Sequence, residues 1–177
     1  MRTVVAVMVA LLWGCGDSGP SGPIPDGGSA CGSNACTAWQ TCSAGQCMVT
    51  ASSQWNLVAA NGHVSTQTPR GDAWDALGGA PDPYVCATLN GQRKCTSTKR
   101  DTFDATWNEA LAMRVGAGAL MGGFLVEYVD EDVSANDPIC SGNITVTAAD
   151  FAKGSVGIMC QAPIADSTVT FQLVYSP

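Results

Sequence analysis

The sequence predicts an all-β chain, an antiparallel sandwich of about eight short strands preceded by a small disulfide-rich module. Period-two alternation of apolar and polar residues recurs in short runs and is clearest in Thr168–Tyr175, T-V-T-F-Q-L-V-Y. Clusters of Gly, Pro, Asn and Asp punctuate these runs at the close spacing of an all-β domain. No amphipathic helix stands out, and Ala148–Lys153 has the length for one turn. Ahead of the strands, Cys31, Cys36, Cys42 and Cys47 crowd into a stretch too short to build a core without cross-links.

Residues 1–14 read as an export signal. Arg2 gives the positive start, and the apolar run Val4–Leu12 is too short to span a bilayer. Leu12-Trp13-Gly14-Cys15 resembles the lipobox of bacterial lipoproteins. That resemblance implies cleavage before Cys15, acylation of its thiol, and a lipid-anchored place in the cell envelope, at the outer membrane or cell surface of a bacterium. An ordinary signal peptide with an incidental cysteine is the competing reading. Residues 15–30 continue as a Gly-, Ser- and Pro-rich tether whose single large apolar residue is Ile24. As a flexible chain its reach is about 20 Å.

The cysteine count agrees with this division. Of nine cysteines, Cys15 is reserved for the anchor, and the rest form an even set, which in an exported chain reads as disulfides. Residues 31–49 form the cysteine-rich module, C-x4-C-x5-C-x4-C. Four cysteines allow three connectivities, and spacing does not choose among them. Zinc is disfavoured, because there is no C-x2-C knuckle and His63, the single histidine, lies elsewhere. Trp39 is either a contact residue or a cap over the bridges.

Residues 50–177 carry the sandwich. Trp55–Ala60 and Val64 have strand character, and Gln67–Pro81 is a loop containing Trp74 and Leu77. Tyr84–Leu89 is a strand that ends in Asn90-Gly91, the strongest short hairpin signal. Counting outward from that turn places Cys86 opposite Cys95, so a cross-strand disulfide follows from register. That leaves Cys140 and Cys160 for each other. Trp107–Val115 alternates and then loosens into Gly116–Gly123. Leu125–Asp130, Asn143–Thr147, Ser155–Met159 and Thr168–Tyr175 complete the strands.

Two acidic turns interrupt this pattern. Asp82 sits between prolines in G-G-A-P-D-P-Y-V, which holds its backbone extended or in a turn. The strand Leu125–Val129 runs straight into D-E-D-V-S-A-N-D, Asp130–Asp137. Carboxylates clustered at strand ends suit a hard, oxygen-ligated cation. P-D-P-Y-V, T-W-N-E at Thr106–Glu109 and D-E-D-V-S-A-N-D resemble, in order and spacing, the C2 domain, the calcium- and lipid-binding module of protein kinase C and synaptotagmin. The resemblance covers about Trp55 to Tyr175 and implies a C2-like sandwich with Ca2+ as cofactor. Carried over by position, it implies Asp82, Asp130, Asp132 and Asp137 as ligands. The position of the family's first-loop aspartate falls on Ala76, so the adjacent Asp75 is assigned, with Asp72 in reserve.

The resemblance also implies a membrane phospholipid partner. Trp74, Leu77 and Val133, beside the ligands, are the expected apolar contacts. Arg93, Lys94, Lys99 and Arg100 are either a headgroup-binding patch or a solvated edge that deters strand pairing. A calcium-stiffened adhesion module that binds a surface protein or glycan is the alternative. The net charge of −7 argues against a nucleic-acid partner. With one histidine, His-based catalysis is poorly served, and neither an enzymatic role nor a small-molecule substrate is expected.

Overall fold

The computed structural model describes residues 30–32, 34–75, 79–132 and 135–177. The export signal, Cys15, nearly all of the tether, Leu77 and Val133 lie outside the described residues.

Four short strands build the module: β1 (Ala30–Cys31), β2 (Asn34–Ala35), β3 (Gln40–Ser43) and β4 (Gln46–Val49). They pair as two antiparallel ribbons, β1 with β2 and β3 with β4. The bridges are Cys31–Cys42 and Cys36–Cys47, which resolves the three connectivities. Trp39 packs against the core of the sandwich. It meets the Trp55 ring edge-on at 5.5 Å and lies 6.4 Å from Phe151. The Trp39 carbonyl accepts from Thr50 N–H at 3.0 Å. The tryptophan thus docks the module on one end of the sandwich, gaining burial that so short a segment cannot supply from within.

The sandwich has eight strands: β5 (Gln54–His63), β6 (Pro83–Leu89), β7 (Gln92–Cys95), β8 (Asp104–Gly116), β9 (Phe124–Asp130), β10 (Asp137–Ile144), β11 (Ser155–Met159) and β12 (Thr168–Tyr175). One sheet runs β10-β9-β6-β7 and the other β11-β12-β5-β8, and every pairing is antiparallel. Alternation decides what each sheet buries. In β12, Val169, Phe171 and Leu173 face the core, and in β9 Phe124, Val126 and Tyr128 do. Phe124 and Phe171 meet edge-on across the sheets at 5.8 Å.

Where the alternation breaks, a bulge is present. β5 shifts register around Ala60, so both Ala59 and Ala60 are buried. β8 carries Asn108 and Arg114 at positive φ, which bends the strand that the sequence read as simply loosening. Gly62 follows the β5 bulge, and a Cβ there would lie 2.9 Å from the Tyr128 hydroxyl and 3.0 Å from the Trp107 ring. Glycine therefore lets the Trp107–Tyr128 pair close over β5.

Two short helices cover the ends. α1 (Ala117–Gly122) occupies part of the loosened Gly116–Gly123 stretch, and Leu120 is fully buried. α2 (Ala148–Lys153) is the one-turn helix expected there. Thr147 and Asp150 form its capping box, and Gly154 ends it in the left-handed conformation. Asn143–Thr147 is not a strand of its own. Its first two residues end β10, which starts earlier because pairing with β9 reaches back to Asp137↔Asp130. The register places Cys86 opposite Cys95, and they are bonded with Cα atoms 3.9 Å apart. Cys140–Cys160 clips edge strand β10 to the residue after β11, the edge of the other sheet.

Candidate metal centre

The same alternation that buries Phe124, Val126 and Tyr128 carries on to Asp130. The last residue of β9 is therefore a carboxylate on the core face, with no solvent exposure. Ladder pairing sets Pro83 on one side of it and Asp137 on the other. Side chains directly opposite on one face lie close together, so three strand ends converge at one point.

Asp82 is locked into this point by its backbone. Pro81 and Pro83 on either side of it are fully buried. Its N–H donates to Asp130 Oδ1 at 2.6 Å, and its carbonyl accepts from Glu131 N–H at 3.0 Å. The Asp82 carboxylate accepts from Asp101 N–H at 2.6 Å. Asp101 in turn accepts from Ala80 N–H at 3.1 Å and sits at φ 50. The strap around it is tied down by Lys99 N–H to the Pro83 carbonyl and Thr102 N–H to the Pro81 carbonyl. In the second loop, Asn136 accepts from Asp132 N–H at 3.3 Å and donates to the Tyr84 hydroxyl at 2.9 Å. Asp101 and Asn136 are the residues sequence reasoning missed. Their parts depend on contacts with residues 19 and 52 positions away, and no local pattern encodes these.

Charge confirms the convergence. Burial, reinforced by Asp132, Asp75 and Asp82, pushes the Asp130 carboxyl up to about 6, against the bond from Asp82 N–H. Asp132 is raised too, first by burial and then by Asp137, Asp75 and Asp82. The charges of Asp75, Asp82 and Asp137 thus bear on Asp130, Asp132 or both. Asp72, the reserve, is not among these charges and lines a neighbouring pocket instead. Asp75 lies against Gly79, where a Cβ would come within 2.9 Å of its carboxylate oxygen.

Asp130 Oδ2 is buried with no hydrogen-bond partner. Of the three such atoms among the described residues it is the only one on a carboxylate; the others belong to Trp107 and Tyr128. An orphaned buried carboxylate oxygen amid four more carboxylates is what a divalent cation would satisfy. Among the described residues, ligand-type atoms gather in threes within 4.8 Å only at Cys31, Cys36 and Cys47, whose sulfurs are in disulfides. No three of the aspartates bring carboxylate oxygens within 4.8 Å of one another. Ligands of one calcium lie up to about 5 Å apart across the ion, so the carboxylates would draw inward around it.

One expectation about lipid contacts needs correction. Trp74 is not at an exposed tip: it is 5% exposed, belongs to the core, and its indole N–H donates to the Ser65 carbonyl at 2.7 Å. An apolar ring with one donor is best satisfied there. Three of the four basic residues are engaged within the domain. Arg93 pairs with Glu127 at 2.7 Å, and Lys94 donates to the Ala110 carbonyl at 2.6 Å, both well along β7 from the acidic end. Lys99 and Arg100 lie on the strap beside Asp82, with Lys99 3.6 Å from Glu109. Glu109, from T-W-N-E, accepts from the Ser97 hydroxyl and from Ser97 N–H, and these bonds, the hydroxyl's first, lower its pKa with help from Lys99.

A family model described as the C2 domain matches residues 57–159. No curated protein sequence matches the chain. Among solved structures, a single C2 domain of plant Extended Synaptotagmin 1 superposes with a TM-score of 0.52 at 15% identity, over 72% of this chain and 97% of that one. The calcium-bound pair of C2 domains of Extended-Synaptotagmin 2 superposes with a TM-score of 0.51 at 14% identity, over 71% of this chain. The match spans 46% of that two-domain chain. At such identities the likeness is one of fold.

Proposed function

The chain belongs to the C2 domain family, and from that premise we propose that it binds calcium through Asp75, Asp82, Asp130, Asp132 and Asp137 and thereby attaches to phospholipid surfaces, with no catalytic step. The observation that carries this reading is the buried, unpartnered Asp130 Oδ2. Calcium, when bound, would neutralise the acidic loops and offer coordination to lipid phosphate oxygens. Asp130 and Asp82 form the fixed floor of the site, because both are held by backbone bonds. Asp75, Asp132 and Asp137 are the walls that draw in. The calcium-bound state of Extended-Synaptotagmin 2, a relative in fold, supports the reading. Lys99 and Arg100 lie on the strap beside Asp82, and Leu77 and Val133 are the apolar candidates for lipid contact.

We also assign Cys15 as a lipid anchor in the cell envelope, on the strength of Leu12-Trp13-Gly14-Cys15 and the tether behind it. Mass spectrometry of the mature chain should find an acylated N-terminal Cys15. An unmodified terminus at another residue would refute that assignment.

The burial of Trp74 favours one second reading, in which calcium stiffens the loops and the partner is a surface protein or glycan. Co-sedimentation of the soluble domain with phospholipid vesicles, with calcium and with chelator, separates the two. Calcium-dependent sedimentation is expected. Calcium binding without sedimentation on any phospholipid would pass the function to the second reading.

A further inference from the structure

Among the described residues, four strands of the sandwich stand at sheet edges: β7 and β10 in one sheet, β8 and β11 in the other. An open edge pairs with other chains unless something deters it. Three of the edges carry a deterrent. β7 holds Arg93 and Lys94, β8 is bent by Asn108 and Arg114 at positive φ, and β10 has Pro138 and a register shift. β11, Ser155-Val156-Gly157-Ile158-Met159, has no charge, no proline and an unbroken register against β12. Its last residue, Met159, is 69% exposed.

The ladder settles which backbone groups of β11 are free. Leu173 N–H donates to the Gly154 carbonyl and Cys160 N–H to the Ser167 carbonyl, both at 2.9 Å. Bonded pairs alternate along an antiparallel ladder. Val156 and Ile158 therefore bond to β12, while Ser155, Gly157 and Met159 turn N–H and C=O to the open edge. We propose that β11 is the surface through which two copies of this chain join, antiparallel and centred on Gly157. Self-complementarity makes the occupant a second copy. In that register Ser155 faces Met159 of the second copy, Gly157 faces Gly157, and Met159 faces Ser155. Every outward donor then meets an outward acceptor about one two-fold axis. Val156 stands opposite Ile158 on the inner face, where both already pack against the core. On the outer face the glycines leave room at the axis, and Met159 of each copy leans across it. No like charges oppose each other in the joint. Two four-stranded sheets become one continuous sheet. The joining turns the copies end for end, so their candidate metal centres point in opposite directions.

The test uses residues 15–177 with Cys15→Ser, disulfides formed, in chelator. A joint of five residues per copy is small, so association is weak and is read by sedimentation equilibrium over a concentration series. A dimer is expected, with amide exchange slowing at Ser155, Gly157 and Met159 as it forms. Ser155→Lys with Met159→Lys sets lysine against lysine at both ends of the joint and should weaken association about tenfold. Ser155→Glu with Met159→Glu should do the same. Each variant should keep the wild-type unfolding midpoint, and mixing the two sets lysine against glutamate and should restore a dimer. Gly157 is left unchanged, because a Cβ there would lie 2.7 Å from the Val169 carbonyl oxygen. A wild type that stays monomeric up to about 1 mM would overturn the proposal. So would a dimer indifferent to either variant, a mixture of folded variants that stays monomeric, or exchange protection confined to other residues, which needs no substitution to read.

Discussion

Asp130→Asn should stabilise the metal-free protein at neutral pH and abolish its response to calcium. The carboxyl is fully buried and pushed from 3.8 to about 6. Its raised pKa means that the folded state holds a proton the unfolded state gives up. The stability this contributes is fully present below pH 3.8 and is lost as pH rises through about 6. At about 1.36 kcal/mol per pH unit, keeping the ionised carboxylate buried at pH 7 costs up to ~3 kcal/mol. Asparagine cannot ionise, keeps an oxygen to accept from Asp82 N–H, and turns its amide donors toward neighbouring carboxylates. In chelator at pH 7 the variant should therefore be more stable by up to ~3 kcal/mol, and this advantage should vanish near pH 4. In calcium the order reverses. The wild type gains about 2.7 kcal/mol at a hundredfold excess over its dissociation constant, and the variant gains little. Urea unfolding followed by tryptophan emission, in chelator and in calcium across this pH range, measures all four quantities. A variant less stable than wild type in chelator at pH 7, or stabilised equally by calcium, would refute the reasoning.

Replacing both Cys140 and Cys160 by Ser should lower stability by about 3 kcal/mol, since the bridge closes a long loop between the two sheet edges; urea midpoints under non-reducing conditions check it. Trp74→Ala should cost about 3–5 kcal/mol as a core deletion, and a midpoint close to wild type would return Trp74 to the surface. Gly62→Ala should destabilise by about 1–3 kcal/mol, because its methyl would press on the Tyr128 hydroxyl and the Trp107 ring. Thermal denaturation reads it, and a neutral result would mean that this aromatic pair can yield.

Much of this protein is written locally. Alternation in Thr168–Tyr175 and Leu125–Asp130 named the strands and their buried faces, because the side-chain period of a strand is two whatever it packs against. Asn90-Gly91 set the hairpin register and with it Cys86–Cys95, since a two-residue turn leaves no freedom in the count. Asp82, Asp130, Asp132 and Asp137 could be proposed as ligands because motif order and strand ends placed them. Tertiary structure alone set the charge of Asp75 against Asp130 and Asp132 and put Asp72 in the neighbouring pocket, because the intervening loop has no period to count along. It alone recruited Asp101 and Asn136. Trp74 shows the physical reason most directly. In sequence, a tryptophan beside acidic residues reads the same whether it faces water or the core. The choice depends on whether strands far along the chain leave a cavity for the ring, where the Ser65 carbonyl nine residues back can accept its N–H.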